Sequence, residues 1–460
     1  MSNIFRKKDV SQLLNGNTER LPQTLGGFDL VMLGVGAIVG TGIFILPGTV
    51  AATHSGPAIV ISFIIAAIVC ALAAMCYSEF SSTIPVTGSA YTYGYIIFGE
   101  VIAWLVGWAL VLEYGLASAS VATGWSAYFV NILEGLNIHI PEMFTGPFDP
   151  ANGTYINLPA VIIVLAIAFL LTRGIQESTK INKIMVFVKV GVILLFVLVG
   201  MFYVKPENWQ PFMPFGIEGI LSGAALVFFA FLGFDAVSSA AEEVKNPQRN
   251  MPIGIIGSLF ICTLLYVSVS LVLTGIVSYT QLNVTDSVSF ALQMVNQDWI
   301  SGIISVGAVT GMMTVILVMI FGGTRLLYAL GRDGLLPKIM SDLDRKHKTP
   351  VKNTWIFAIL IAFCAGFIPL GTLAELVNMG TLIAFIIVSV GVIFLRKNKN
   401  MPSGGFKVPL FPIIPILSFG ACVFLILQLA ISTWIACGIW FLIGLALYFM
   451  YGKNHSTMNN

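Results

Sequence analysis

About 20 consecutive apolar residues suffice to carry a helix across a lipid bilayer, and this chain offers twelve such stretches. They run over residues 29–50, 57–81, 91–130, 158–173, 181–203, 218–242, 252–279, 300–331, 353–370, 372–396, 410–431 and 434–451. The third and eighth are long for one crossing and either tilt or begin as interfacial helices. Only 10% of the residues are charged, against roughly 25% in a soluble domain. Lipid is therefore the expected solvent. No segment is long or polar enough for a separate soluble domain, and the polar start up to about Asp29 excludes an ordinary cleaved signal peptide.

Charge placement orients the spans. With the N-terminus in the cytoplasm, Lys205 alone of the 23 Lys and Arg falls in an outer loop, and Lys189 alone lies deep in a span. The other 21, which is 23 less these two, fall in inner segments, as the positive-inside rule requires. Both termini are expected inside, in a plasma or bacterial inner membrane. All six cysteines lie in apolar segments, where Cys serves as a small hydrophobe, so no disulfide is expected. The four histidines lack ligand spacing, and neither a metal nor another cofactor is expected. The basic run from Arg332 to Lys352 reads as a solvated inner loop, not a nucleic-acid site.

Two of the spans are interrupted by glycine. One break is Gly36-Ala-Ile-Val-Gly-Thr-Gly-Ile-Phe44 in the first span, and the other is Phe228-Phe-Ala-Phe-Leu-Gly-Phe-Asp-Ala-Val-Ser-Ser239 in the sixth. Freed backbone groups find no water in a bilayer, so a broken helix is tolerated where it lines a cavity. Paired breaks in corresponding halves point to a carrier's midplane site. Five spans precede the second break, and an odd number inverts the next five relative to the first five. Residues 29–203 and 218–396 are thus expected to form an inverted repeat. Residues 1–28 would be an inner segment, 410–451 two further spans and 452–460 an inner tail. The spacing Gly36-xxx-Gly40 alone is equally a helix-packing face. Gly34-x-Gly36 does not make a dinucleotide site, because its third glycine is misplaced and no strand precedes it.

Three segments carry a family resemblance: Gly34 to Gly48, Tyr77-Ser-Glu-Phe80 with Pro85 to Tyr93, and Gly233-Phe-Asp-Ala-Val237 running into Glu242 to Arg249 and Pro252. In these the chain resembles the cationic amino acid transporter-like branch of the amino acid–polyamine–organocation superfamily. The resemblance implies an all-α membrane protein of the leucine-transporter type, with its first and sixth helices discontinuous. It also implies an amino acid as substrate.

A zwitterion needs donors for its carboxylate and acceptors for its ammonium. The amides of Gly40, Thr41 and Gly42 begin a new helical half, where the dipole favours an anion, and the Thr41 hydroxyl can add a donor. Free carbonyls near Ala37 and Ile38, with those around Phe229, Ala230 and Leu232, suit the ammonium. Ionisable residues at membrane depth are functional hypotheses. Lys189 lies about 12 Å from the inner end of its span, too deep for a simple snorkelling anchor to be the preferred reading. In proton-coupled relatives a similar lysine places its amine where sodium-coupled members hold an ion, which implies proton coupling here. Glu113 and Asp235 are the other deep carboxylates, with proton relay and backbone hydrogen bonding as competing roles. Glu79, Glu242 and Glu243, near inner helix ends, are expected to pair with inner Lys or Arg as gates. Phe231 or Phe234 is expected to cap the site from outside.

These readings converge on proton-coupled symport of an L-amino acid by alternating access, small neutral such as alanine favoured and cationic in reserve. An exchanger and a non-transporting sensor are the alternatives. An enzyme is not expected, since no carboxylate cluster or nucleophile–base pair is visible. The partners are the amino acid, the proton and the bilayer, with an accessory membrane subunit left open.

Overall fold

The computed structural model describes residues 5–8, 23–85, 89–173, 179–344, 349–398 and 405–459. Apart from two isolated β-bridges, every regular element among them is helical. The first span is α1 (Gly27–Ile38), α2 (Thr41–Phe44) and α3 (Leu46–Val50). A π-turn and a 3-10 turn then lead into α4 (Ile59–Thr83), so the expected gap at residues 51–56 is helical. Ala-Ala-Thr-His holds no strong breaker, and the chain turns only at Gly56.

The long third span divides. A short α5 (Ser89–Ile97) precedes the 36-residue α6 (Glu100–Gly135). Then follow α7 (Leu158–Thr172), α8 (Thr179–Gly200), α9 (Gly216–Val227), the four-residue α10 (Ala236–Ser239) and α11 (Pro247–Ile276). A short helix α12 (Ser287–Gln293) precedes α13 (Asp298–Arg332). The remaining helices are α14 (Val351–Phe367), α15 (Leu370–Lys397), α16 (Ile413–Leu427), α17 (Ile431–Leu447) and α18 (Lys453–His455). Between α14 and α15 only Ile368 and Pro369 leave the helix, because proline forbids the preceding residue from continuing it.

Among the described residues, seven helical stretches are long and apolar enough to cross a membrane, with five shorter apolar helices beside them. In α6 the most apolar window is 89% buried, in α17 only 22%. The first is the axis of the bundle, packed on α13, α14 and α15, and the second lies at its edge. Large apolar side chains on the rim, such as Phe202, Trp299, Leu442 and Met450, are exposed, the pattern of a surface that meets lipid rather than water. A reciprocal tryptophan pair fastens the edge: Trp108 donates to the Trp440 carbonyl (2.8 Å) and Trp440 to that of Trp108 (3.1 Å), with the rings stacked at 4.5 Å.

The described segments 5–8 and 452–459 converge on one face. Arg6 donates to the carbonyl of Met458. Buried Glu100, at the start of α6, accepts from Tyr95 (3.0 Å), Tyr448 (2.9 Å) and Ser456 (2.6 Å), with Arg6 at 3.8 Å. Just past α13, Asp333 accepts from Tyr91 (2.6 Å) and Lys8 (2.7 Å).

Candidate functional site

The first break opens where the helical ladder stops. The Val39 amide still reaches the Val35 carbonyl at 2.9 Å, but Val39 itself is extended. Gly40 then reorients the chain and α2 begins at Thr41. An unbroken helix would have joined the amides of Gly40, Thr41 and Gly42 to the carbonyls of Gly36, Ala37 and Ile38. The break frees three donors and three acceptors at one level of the bundle.

The second break is longer. After α9 a 3-10 turn covers Phe228–Phe231, Leu232 is extended, and Gly233 takes φ +112° before α10. Only glycine adopts that φ readily. A Cβ on Gly233 would also lie 2.9 Å from the Ala37 carbonyl carbon, and one on Gly42 would lie 2.5 Å from the Ala230 Cα. The two breaks therefore touch backbone to backbone, a contact that requires the missing side chains.

Buried acceptors must be satisfied, and here side chains from separate helices do it. Lys189 of α8, fully buried, donates its Nζ to the Gly36 carbonyl at 2.9 Å. Its stem runs along Gly311 of α13, where a Cβ would stand 2.8 Å from the Lys189 Cγ. The amine is turned into the bundle between the first break and α13. From α11, the Tyr266 hydroxyl lies 2.6 Å from the Ala230 carbonyl and 3.2 Å from that of Ile38. Asn378 of α15 donates to the Ala225 carbonyl at 2.8 Å and meets that of Leu226 at 3.3 Å. Beyond the first break, Tyr128 (2.9 Å) and Ser287 (3.2 Å) donate to the Phe44 carbonyl. The sequence reading missed Tyr266, Asn378, Tyr128 and Ser287. A polar group in mid-span, as Tyr266 and Asn378 are, was the available signal.

Ala37, Ile38, Gly40, Thr41, Gly42, Phe229, Ala230 and Leu232 are all buried at this junction. The Thr41 hydroxyl is buried without a hydrogen-bond partner, and its methyl abuts Gly124 of α6. On the same helix, Glu113 is buried with Oε2 unpartnered. Asp235 is its electrostatic neighbour, and the Thr381 side chain is a hydrogen-bonding one. Glu113 and Asp235 thus act on each other electrostatically, and Lys189 stands on the first break.

The residues expected to gate are placed as follows. Phe231 packs edge-on against Tyr266 (5.0 Å) and Phe63 (6.2 Å). Phe234 packs against Phe385 (5.1 Å) and Tyr77 (5.9 Å). Among the described aromatics, Phe229 pairs with no other ring. Glu79 forms a bidentate pair with Arg396 at 2.6 and 2.7 Å and accepts from the Val408 amide at 2.7 Å. The Glu243 carbonyl accepts from the amides of Thr24 (2.9 Å) and Leu25 (3.0 Å), and Glu243 is an electrostatic neighbour of Arg325. The Glu242 side chain lies outside the described residues.

Known proteins bear on this arrangement. Residues 25–459 match the family model described as amino acid permease. The chain is 52% identical to the methylthioribose transporter of Bacillus subtilis (strain 168), over the whole of both chains. It is 50% identical to a branched-chain amino acid permease of the same organism, covering 99% of each. It is also 31% identical to a vacuolar cationic amino acid transporter of Arabidopsis thaliana, covering 100% of this chain and 97% of that one. These relatives are named as permeases and transporters rather than enzymes. A bundle of apolar helices matched from end to end by such proteins is a multi-pass membrane transporter, and the chain belongs to the amino acid permease family of the amino acid–polyamine–organocation superfamily.

Proposed function

We propose that this protein carries an aliphatic L-amino acid across the cell membrane with a proton, by alternating access around the paired helix breaks. The observation that carries the reading is the contact of the two breaks, Gly233 on Ala37 and Gly42 on Ala230. It sets freed amides and freed carbonyls at one level, matched to the two ends of a zwitterion. The amides of Gly40, Thr41 and Gly42 with the Thr41 hydroxyl would take the carboxylate. The carbonyls of Ala37, Ile38, Phe229, Ala230 and Leu232 would take the ammonium. Lys189, Glu113 and Asp235 would handle the proton, because a proton on the neighbouring carboxylates relieves their like-charge repulsion.

The seven long and five shorter apolar helices fit twelve crossings. Residues 29–203 and 218–396 would be the inverted halves, 410–451 the last two helices, and 1–28 and 452–460 the cytoplasmic ends. Phe229, free of other rings, is a better candidate than Phe231 or Phe234 to cap the substrate. Relatives named for branched-chain amino acids, at 50% and 38% identity, favour leucine, isoleucine or valine over alanine. The 52% identical methylthioribose transporter supports a second reading, in which hydroxyls of a neutral thiosugar use the same carbonyls.

The deciding experiment is uptake into sodium-free proteoliposomes with an acidic exterior. It uses labelled L-leucine with alanine, arginine and methylthioribose as competitors. Accumulation that a protonophore abolishes and valine competes is expected. Exchange with preloaded leucine but no net accumulation would make the protein an exchanger. Competition by methylthioribose alone would favour the second reading.

A further inference from the structure

A half-open cavity of about 80 Å³ is lined by residues from the end of α7, the start of α14 and a part of α13 about two turns from its end. It has room for several waters. Thr324 and Arg325 of α13, Thr349, and Thr354 of α14 line it together with the apolar Leu171 and Phe321. Arg325 stands exposed at the mouth, with its guanidinium 4.0 Å over the Phe321 ring. Among the described residues no carboxylate forms an ion pair with it, and Glu243 acts on it only electrostatically. A guanidinium offers five N–H donors and no acceptor. A second exposed cation, Arg173, follows Thr172, whose carbonyl accepts from Thr349 at 3.3 Å. No acidic side chain among the described residues lines the cavity.

The hydroxyls narrow the ligand further. Thr324 donates to the Phe321 carbonyl (2.9 Å), Thr354 to that of Pro350 (3.0 Å) and Thr349 to that of Thr172. Each hydroxyl hydrogen is thus used, while lone pairs on each oxygen remain. Such a cavity suits an anion that brings hydroxyl donors of its own. Helices α7 and α14 pack against each other, and their Phe169, Ile356, Ile359, Leu360 and Phe363 are exposed, an apolar surface on the same two helices. We propose that the cavity binds the headgroup of an anionic phospholipid whose phosphodiester carries free hydroxyls, as in phosphatidylglycerol. Arg325 holds the phosphate through charge-assisted bonds. The threonine oxygens accept from the headgroup hydroxyls, and the acyl chains lie along the apolar surface of α7 and α14. Phosphatidylcholine has the phosphate but neither net charge nor hydroxyl hydrogens. The site is separate from the helix breaks and does not depend on which solute is carried.

The test is native mass spectrometry of the detergent-purified protein, giving the Kd for phosphatidylglycerol and for phosphatidylcholine. The unaltered protein should bind phosphatidylglycerol about tenfold more tightly, and Arg325→Gln should remove that preference without changing the Kd for phosphatidylcholine. Should Arg325→Gln fail to fold, Thr354→Val takes away one acceptor oxygen and should weaken phosphatidylglycerol alone, about threefold. Lys407→Gln removes an exposed charge that does not line the cavity and should change neither Kd. Full phosphatidylglycerol affinity in Arg325→Gln would overturn the proposal. So would an equal loss in Lys407→Gln, since net charge alone would then attract the lipid. Competition by sn-glycerol 3-phosphate at the lipid's own concentration would overturn it in favour of a soluble phosphate ester.

Discussion

At the scale of single residues, the decisive chemistry is a handful of polar atoms placed where lipid would otherwise surround them. Lys189 is legible as an anomaly in the sequence, but its partner is not. Gly36 lies 153 positions away, and only packing brings the Nζ to that carbonyl. If Lys189 links proton movement to the first break, Lys189→Ala loses proton-driven leucine accumulation by about tenfold or more, and full accumulation by the variant would exclude it. Asp286, in the loop before α12, gives a different prediction. Burial pushes its carboxyl above the ordinary 3.8, with nearby Glu134 adding to the effect and its own backbone opposing it, while Asn131 donates to it at 2.8 Å. Its folded-state pKa is raised, so the ionised form weakens the fold. That penalty is complete above the raised value and vanishes as pH falls below 3.8. Asp286→Asn should therefore melt higher than the unaltered protein near pH 8, with the gain shrinking on acidification. A gain independent of pH would point to another cause.

Elements show how far periodicity reaches. Long apolar runs foretell the helices, and Pro369 marks the α14–α15 joint. The boundaries that failed are those decided by contacts. Residues 51–58 stay helical because they pack between α3, α4 and α9, and the third span splits at Gly99 because the segment at Phe5 and Arg6 crosses there. Glu79 and Arg396 tie α4 to α15 with the carboxylate almost wholly buried. Removing one member of a buried pair strands the other, so Glu79→Gln should cost about 3 kcal/mol in thermal unfolding. Adding Arg396→Met should recover part of the loss, since no uncompensated charge remains. A double variant less stable than Glu79→Gln would mean the guanidinium matters more for its contact over Phe411, at 4.2 Å, than for its charge.

For the whole molecule, the segments around Lys8 and Ser456 close over Glu100 and Asp333 on the face where α6 begins and α13 ends. Asp333→Asn removes the charge that Lys8 and Tyr91 address and should cost about 1 kcal/mol. Amide exchange over residues 455–458 should rise with it, because the Asp333 backbone carbonyl that holds the Thr457 amide at 3.0 Å is itself fixed by those side-chain contacts. Unchanged exchange there would show that Tyr448 and Ser456 secure the tail without Asp333. The sequence by itself determined that the chain folds in lipid as a helical bundle, and that two of its apolar stretches, at Gly36–Phe44 and Phe228–Ser239, break at glycines. Hydropathy and glycine placement are local properties, and a bilayer enforces them strictly. Only the tertiary structure decided which side chains answer the freed carbonyls. Tyr266, Asn378, Tyr128 and Lys189 reach across from other helices, and no local pattern records a hydrogen bond between residues many positions apart.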